Sequence, residues 1–404
     1  MRKSKPSFWI YSLILMVFIV AIAPITPPQP GWVIETVDAP KLFNAFTPNM
    51  LKLYNNQPRV AYGGDHLYYA SSDNNGGSWT LETIDPSSGV GGRASLILDA
   101  SGNPYIGYFD NGQRDLKFAG KDPNNAAQWY YETVDTSGAG DYLAIALDTS
   151  NQPHIAYFAG SALYHAWRSC SGSPPGVVCS WTTEPILSAV NPNHIGLAID
   201  TTNKIHISYY GGSNQQLNYV TSVSAGSGNC SGNNFRCDIV DSITYAGNSG
   251  TSIALYGDQP RIAYWVYGAG IKFAWYDGSW HTTIVDPSTG NSPALVLSFT
   301  GLPRILFSAS SVSKVMLVSG TTTTGGSWTT TEVTGSTNAG GSAASIKSTD
   351  DVCEVFFQYY TGNFNYSCQS SGVWQTPVAF DHSNDVGKHN SLALDSTGKP
   401  HISY

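Results

Sequence analysis

Charged side chains are scarce in this chain. Only 12% of its 404 residues are Asp, Glu, Lys or Arg, and just six are Glu. The formal net charge is −8, so the chain lacks the basic face that phosphate contacts require, and nucleic acid is excluded as a partner. No stretch after residue 30 keeps the 3.6-residue apolar period of a helix, which excludes a helical fold.

What the chain has instead is a repeat of about fifty residues. The segment Trp-x-x-Glu-Thr-Val-Asp begins at Trp32 and Trp129, and its close variant WTLETID begins at Trp79. Weaker copies begin at Trp181, Phe235, Trp280, Trp328 and Trp374. Successive anchors lie 45 to 54 residues apart. A period in this range, with four strand-like runs per copy, is typical of a β-propeller blade.

Each copy contains four short apolar runs, which we name strands A to D from the channel outward. In one copy they are Ala94–Asp99, Tyr105–Asp110, Leu116–Ala119 and the run at Trp129. Such runs, rich in Val, Ile, Tyr and Trp and bounded by Gly, Asn, Asp and Pro, are strand signals. Eight A strands are predicted, starting near Met50, Ala94, Leu143, Ile195, Ser252, Ala294, Ala343 and Ser391.

The sequence leaves the blade count open. Trp32–Asp38 is a D strand with no A, B or C strand before it, and Ser391–Tyr404 supplies only an A and a B strand. In an eight-bladed ring the early D strand closes the last blade, whereas in a seven-bladed ring both ends are overhang. Because the chain stops inside an uncapped strand pattern, we expect a truncated reading frame. The prediction is an all-β propeller of seven to eight four-stranded blades over residues 31–404.

The first thirty residues form a separate segment. Three basic residues precede the apolar run Phe8–Ala23, and the Pro-rich linker Thr26–Pro30 follows. This is the plan of a secretory signal, which is either cleaved or kept as a membrane anchor. Membrane contact is expected only through this segment, and only if it is uncleaved.

All six cysteines fall in local pairs. No CxxC spacing indicates zinc, so the sequence favours disulfide bonds over a metal site. The predicted bonds are Cys170–Cys179, Cys230–Cys237 and Cys353–Cys368. The disulfides and the leading segment together predict an extracytoplasmic protein, secreted or anchored by residues 8–23.

The Trp-anchored copies, the run SLALDSTGKPHISY from Ser391 and the turn before Trp79 resemble the BNR or Asp-box propellers of the sialidase-like superfamily. An Asp-box reads Ser-x-Asp-x-Gly-x-x-Trp between strands C and D. Ser71–Trp79 is close, with one residue too many before the Trp, and Thr321–Trp328 lacks the Asp. The resemblance implies the propeller fold. In that family the box is structural and lies opposite the active site.

The resemblance also implies what a sialidase would need: three arginines, a Tyr–Glu nucleophile pair and an Asp acid/base. Five of the six Glu fall in the repeat slot, and Glu354 lies beside Cys353. Three arginines share one slot at the start of strand B: Arg59, Arg261 and Arg304. Arg93 and Arg114 alone make no triad. The sequence therefore favours a non-catalytic module without a cofactor or metal, with a glycoside hydrolase or lyase on the same fold as the alternative.

Other polar and aromatic residues recur at repeat positions, so we expect them to be structural. The histidines of one strand B slot are His154, His206 and His401. The aspartates that end strand D are predicted to form turns, with a ring that binds a cation as the alternative: Asp38, Asp85, Asp135, Asp241 and Asp286. The Trp anchors are expected in blade interfaces rather than as sugar platforms.

Residues that depart from the repeat are the candidate ligand-binding residues. They precede A strands or lie in a B–C loop, so we expect them at the mouth of the central channel, where propellers usually bind ligands. They are Arg93, Arg114, Asp141, Tyr142, Asn193, His194, His389 and Asn390. The sequence predicts a binding or scaffold module for glycan or extracellular protein ligands, and a purely structural surface-layer component is a third possibility.

Overall fold

The computed structural model describes residues 50–403, apart from 189–192, 213, 231–233, 289, 383–390 and 395–399. The apolar run Phe8–Ala23, the early D strand Trp32–Asp38 and the candidates His389 and Asn390 lie outside the described residues. Within the described ranges the chain forms strands and turns, and none of it is a helix long and apolar enough to cross a membrane.

Seven antiparallel sheets follow one another along the described chain, six of four strands and the last of five. Blade 1 comprises β1 (Leu51–Tyr54), β2 (Gln57–Gly63), β3 (Leu67–Ser71) and β4 (Thr80–Asp85). Blade 2 comprises β5 (Val90–Leu98), β6 (Pro104–Asp110), β7 (Asp115–Asp122) and β8 (Asn125–Asp135). Blade 3 comprises β9 (Ala139–Leu147), β10 (Pro153–Ala159), β11 (Ala162–Ser171) and β12 (Val178–Leu187). Blade 4 comprises β13 (Asn193–Ile199), β14 (Ile205–Gly211), β15 (Gln216–Ser222) and β16 (Phe235–Asp241).

The remaining blades repeat this order. Blade 5 comprises β17 (Ala246–Tyr256), β18 (Gln259–Val266), β19 (Gly270–Tyr276) and β20 (Trp280–Asp286). Blade 6 comprises β21 (Gly290–Leu297), β22 (Pro303–Ala309), β23 (Lys314–Thr322) and β24 (Gly325–Glu332). Blade 7 comprises β25 (Ala339–Ile346), β26 (Val352–Gln358) and β27 (Asn363–Ser370), with β28 (Val373–Trp374) and β29 (Val378–His382) both paired to β27. A separate hairpin pairs β30 (Ser391–Leu394) with β31 (Pro400–Ser403).

The first strand of each blade contacts the first strand of the next blade, and β25 of blade 7 contacts β1 of blade 1. The first strands therefore line the central axis, and the ring closes after seven blades. Of the two predicted counts, the seven-bladed propeller is the one that the structure forms.

Aromatic side chains hold the join between blade 7 and blade 1. Tyr62 packs edge-on against Phe364 with ring centroids 5.2 Å apart, and Trp79 stacks on Phe380 at 4.6 Å. The Tyr62 hydroxyl also donates to Asp381 Oδ2 at 2.6 Å. Each ring that leaves water contributes on the order of 1.5–3 kcal/mol, so this seam is an apolar core with polar contacts at its edge.

The repeated Trp and Glu join neighbouring blades. Trp129 Nε1 of blade 2 donates to Glu82 Oε2 of blade 1 at 2.9 Å. Trp181 Nε1 of blade 3 donates in the same way to Glu132 Oε1 of blade 2 at 2.6 Å. We name this the Trp–Glu contact. It places Trp129 and Trp181 in blade interfaces, as the sequence predicted.

The aspartate that ends strand D makes a second join. Asp85 Oδ1 accepts from the Ser87 backbone N–H at 3.0 Å and forms the predicted turn. Its Oδ2 accepts from the Tyr108 hydroxyl of the next blade at 2.7 Å and from Lys117 at 2.8 Å. Asp241 repeats this arrangement with the Tyr264 hydroxyl. We name this the Tyr–Asp contact, and the sequence alone did not predict it.

All three predicted disulfides are present. Cys170–Cys179 bridges β11 and β12, Cys353–Cys368 bridges β26 and β27, and Cys230–Cys237 ties the loop before β16 to that strand. Disulfides of this kind form in oxidising compartments, in agreement with an extracytoplasmic location.

The repeated strand B residues serve local structure. The three arginines of the shared slot each donate to the carbonyl of the preceding proline, at the end of strand B away from the B–C loops: Arg59, Arg261 and Arg304. His206 Nε2 lies 3.4 Å from Asp200 Oδ2, at the end of the neighbouring strand A. The three arginines and His206 thus make local contacts in their own blades.

Candidate functional site

The innermost strands begin with a β-bulge at the channel mouth. In β5 the pairing shifts between Gly92 and Ser95, and in β13 it shifts between Asn193 and Ile195. These strands therefore start two to four residues before the predicted positions. A bulge re-aims the side chain of the extra residue, and bulges are enriched beside active sites.

Two candidate residues occupy these bulges with a left-handed backbone. Arg93 has φ 53° and His194 has φ 49°. For a residue with a Cβ this conformation costs on the order of 1–3 kcal/mol, and it tends to persist at functional sites. The fold thus holds an arginine and a histidine in strained positions at the channel mouth.

Residues from four successive blades meet there, three through their side chains and Asn248 through its backbone. The Arg93 guanidinium carbon lies 3.8 Å from the centroid of the Tyr142 ring. The Tyr142 ring lies 4.9 Å from the His194 ring, and His194 hydrogen-bonds to the backbone of Asn248. We name Arg93, Tyr142, His194 and Asn248 the mouth arc. It presents a cation, a phenol and an imidazole side by side.

Burial, followed by the nearby Arg93 charge, lowers the pKa of the His194 imidazole to about 4, although the hydrogen bond to Asn248 opposes both effects. At neutral pH His194 is therefore uncharged and keeps a nitrogen lone pair. Arg93 supplies the positive charge of the arc.

Blade 5 adds two buried polar atoms with no partner among the described residues, Asn248 Oδ1 and Trp265 Nε1. The bulge that contains Asn248 lies opposite Trp265, because β17 pairs Ala246 with Val266 and then Thr251 with Tyr264. An unpaired buried acceptor or donor costs about 1–3 kcal/mol, so a ligand hydroxyl that reached them would recover that free energy.

Two exposed tyrosines stand beside these atoms. Tyr267 is 72% exposed and lies 6.1 Å from the Trp265 ring, and Tyr245 lies 6.3 Å from Tyr267. Asn248, Trp265 and both tyrosines were not among the candidates predicted from the sequence. The Gly- and Asn-containing insertion before strand A of blade 5 is a signal that could have found Asn248.

The structure does not bring every predicted residue into the arc. The Arg114 guanidinium carbon lies 6.0 Å from the ring of Phe109 in its own blade. Asn193 pairs with Tyr210 at the start of β13, next to His194. Asp141 belongs to β9, and its side chain lies outside the described part of the structure. In the described ranges no three His, Cys, Asp or Glu side chains form a group that could hold a metal ion.

Comparison with known proteins bears on the fold. No family profile and no curated protein matches the sequence. An ulvan lyase of a polysaccharide lyase family, solved bound to -[GlcA(1-4)Rha3S]-, is similar with a TM-score of 0.53 and 13% identity, over 79% of this chain and 91% of the lyase.

Two fungal proteins are similar at lower scores. The fucose-specific lectin of Aleuria aurantia has a TM-score of 0.47 and 13% identity, over 71% of this chain and 95% of the lectin. AofleA of Arthrobotrys oligospora has a TM-score of 0.48 and 12% identity, over 73% of this chain and 87% of its own. At such identities the similarity of the lyase shows the propeller fold alone.

Proposed function

We propose that this protein is an extracytoplasmic propeller that binds glycans at its channel mouth, with acidic sugars as the ligand class. The observation that carries the proposal is the Arg93 side chain stacked on Tyr142 beside an uncharged His194. A guanidinium presents a planar fork that matches a carboxylate or sulfate group.

The neighbouring groups suit the rest of a sugar ring. The exposed Tyr245 and Tyr267 rings offer apolar faces with polar tips. The buried Asn248 amide oxygen and Trp265 indole N–H would supply an acceptor and a donor to a ligand hydroxyl that reached them. The saccharide bound to the ulvan lyase contains glucuronic acid, which agrees with an acidic ligand.

The turn before Trp79 supports a further proposal, membership of the Asp-box propellers. Asn74 Oδ1 accepts from the Ser78 backbone N–H at 2.8 Å, and Ser72 Oγ accepts from the Gly76 backbone N–H at 2.9 Å. Counted from Ser72 the spacing to Trp79 is that of the box, with Asn74 in place of the Asp. The geometry of this turn supports membership of the Asp-box propellers but does not bear on catalytic activity.

A lyase is the second candidate, and the uncharged His194 favours it. In an elimination across a uronic acid, the imidazole would take the proton from C5, next to the carboxylate that Arg93 neutralises. A C4–C5 double bond would form as the C4–O bond breaks, and the leaving oxygen would take a proton from the Tyr142 hydroxyl. A base with a pKa below the working pH is available in the required form.

The test is a glycan array followed by titration calorimetry on the full disulfide-bonded chain. We expect acidic oligosaccharides to bind and Arg93→Ala to weaken them about tenfold or more, since a hydrogen bond to a charged group contributes about 1.5–3 kcal/mol. Arg114→Ala is the matched control from the same blade and should leave affinity unchanged.

Unsaturated products from uronic-acid polysaccharides, lost in His194→Ala, would establish the lyase. Equal binding by the wild-type chain and Arg93→Ala, or recognition of protein ligands alone, would overturn the proposed site.

A further inference from the structure

A pocket of about 560 Å³ lies on the outer rim, between strand D of blade 4 and strands C and D of blade 5. Its walls include Arg236 and Asp238 on β16, Tyr276 at the end of β19, and Trp280 at the start of β20. We name these four residues the rim pocket. They belong to the outer strands, whereas the mouth arc belongs to the innermost strands.

The pocket stands where other joins have a closed Trp–Glu contact. Asp238 occupies the repeat slot of Glu82 and Glu132, and Trp280 is the following anchor. Because Asp is one methylene shorter than Glu, its carboxylate stays farther from the indole. Trp280 Nε1 lies 3.4 Å from Asp238 Oδ2, against 2.9 and 2.6 Å at the two closed joins. The substitution of Asp for Glu opens this join.

Arg236 turns the open join into a polar site. Its Nε and Nη2 donate to Asp238 Oδ2 at 3.2 and 2.7 Å. The contacts of Asp238 with Arg236 and Trp280 all fall on Oδ2, so among the described residues Oδ1 is available to accept from a ligand. The Arg236 and Asp238 side chains are 38% and 23% exposed, and a ligand can reach both.

The join between blades 2 and 3 provides an internal comparison. There Arg168 Nε donates to Glu132 Oε1 at 2.7 Å, and Trp181 donates to the same oxygen at 2.6 Å. Arg168 is buried. The same three kinds of side chain thus form a closed contact at one join and an accessible pocket at the other.

The backbone of the rim pocket is fixed in advance. Arg236 and Asp238 alternate along β16 and so share one face of the strand. Cys237 between them is bonded to Cys230, and its backbone N–H and carbonyl both hydrogen-bond to the Asn229 side chain, at 2.7 and 3.1 Å. A site held in this way loses little conformational freedom on binding.

We propose that the rim pocket binds a neutral pyranose residue of a glycan. Arg236 and Asp238 neutralise each other, so the pocket offers donors and an acceptor to hydroxyl groups without attracting an ion. Tyr276 and Trp280, with ring centroids 5.3 Å apart, offer a face for the C–H groups of a sugar ring. This second site rests on the glycan-binding function proposed above, but it has its own residues and prefers neutral rather than acidic sugars.

The decisive variant is Asp238→Glu, which restores the residue of the closed joins. Methyl α-glycosides of glucose, galactose, mannose and fucose are titrated against the full chain by calorimetry and saturation-transfer NMR. We expect at least one to bind the wild-type chain, and Asp238→Glu and Arg236→Ala to weaken it about tenfold or more, as for the loss of one charged hydrogen bond. Glu82→Asp is the matched control at a different join and should leave that binding unchanged.

Arg93→Ala separates the two sites. It should weaken recognition of acidic oligosaccharides about tenfold or more and leave the affinity for neutral glycosides unchanged. If no methyl glycoside binds, or if Asp238→Glu binds as well as the wild-type chain, the rim site is wrong whatever happens at the channel mouth.

Discussion

Replacing Glu354 by Val should stabilise this propeller, and more so as the pH rises. Glu354 lies on β26 in the slot that apolar residues fill in the other six blades: Val60, Ile106, Ile155, Ile207, Ile262 and Ile305. Its side chain is 0% exposed, and neither carboxyl oxygen has a partner among the described residues. Its strand neighbours on the same face, Val352 and Phe356, belong to the apolar core between blades 6 and 7.

Two contributions set the size of the effect. Burying a polar group without a hydrogen bond costs about 1–3 kcal/mol in folded proteins. Burial also raises the pKa of the Glu354 carboxyl well above its ordinary value, so the folded state holds a proton that the unfolded chain releases. Stability is therefore lost as pH rises above the ordinary range of Glu, by about 1.4 kcal/mol per pH unit while the folded carboxyl stays protonated.

Urea denaturation followed by tryptophan fluorescence, with the disulfides intact, measures the difference at pH 5, 6 and 7. We expect Glu354→Val to be more stable than the wild-type chain at each pH. The difference between their free energies of unfolding should increase as the pH rises. Glu354→Gln keeps the buried polar group and removes only the pH dependence. A Val variant that is less stable, or a gap that stays flat with pH, would refute the reasoning and show that Glu354 has a partner.

Two further predictions concern the joins between blades. Asp241→Asn should destabilise the protein by about 3–5 kcal/mol in thermal unfolding, because it leaves the buried Lys272 ammonium unpaired, and Tyr264→Phe is the milder control. Burial acts to raise the pKa of Asp241, but hydrogen bonds from Lys272 and Tyr264 hold it below its ordinary value, so this stability should persist above about pH 4 and fade in more acidic solution. Trp129→Ala should cost about 3 kcal/mol in urea denaturation, since its part-buried ring packs on Tyr69 at 5.1 Å, and ligand affinity of the folded fraction should not change. An unchanged urea midpoint, or a stable variant that has lost binding, would assign Trp129 to a ligand site instead.

Much of the fold was readable from the repeat. Strand order, the turn aspartates and the disulfides follow from spacing alone, because each depends on residues close together in the sequence. The blade count did not follow, since it depends on which distant strands meet at the seam. The same limit hid the Tyr–Asp contact, where residues of neighbouring blades pair.

The candidate site was partly readable. Departure from the repeat identified Arg93, Tyr142 and His194, but it could not show that Arg114 would pack on its own blade. It also passed over Asp238, which looks like an ordinary member of a degenerate repeat, and it placed Glu354 only beside Cys353. Only the structure shows that Asp238 lengthens the contact with the next Trp anchor and that Glu354 replaces the isoleucine or valine of the other blades.

The Tyr–Asp contact has a consequence for synthesis. Between consecutive blades it joins residues that lie close in sequence, as with Tyr108 and Asp85, 23 residues apart. At the seam it joins Tyr62 to Asp381, 319 residues apart. At about 5–20 residues per second, a ribosome needs roughly 15–60 s to supply the second partner after the first. During that interval the nascent chain can grow as an open arc, in which the aromatic face of blade 1 is exposed to solvent. Blade 7 covers this face when it emerges and folds.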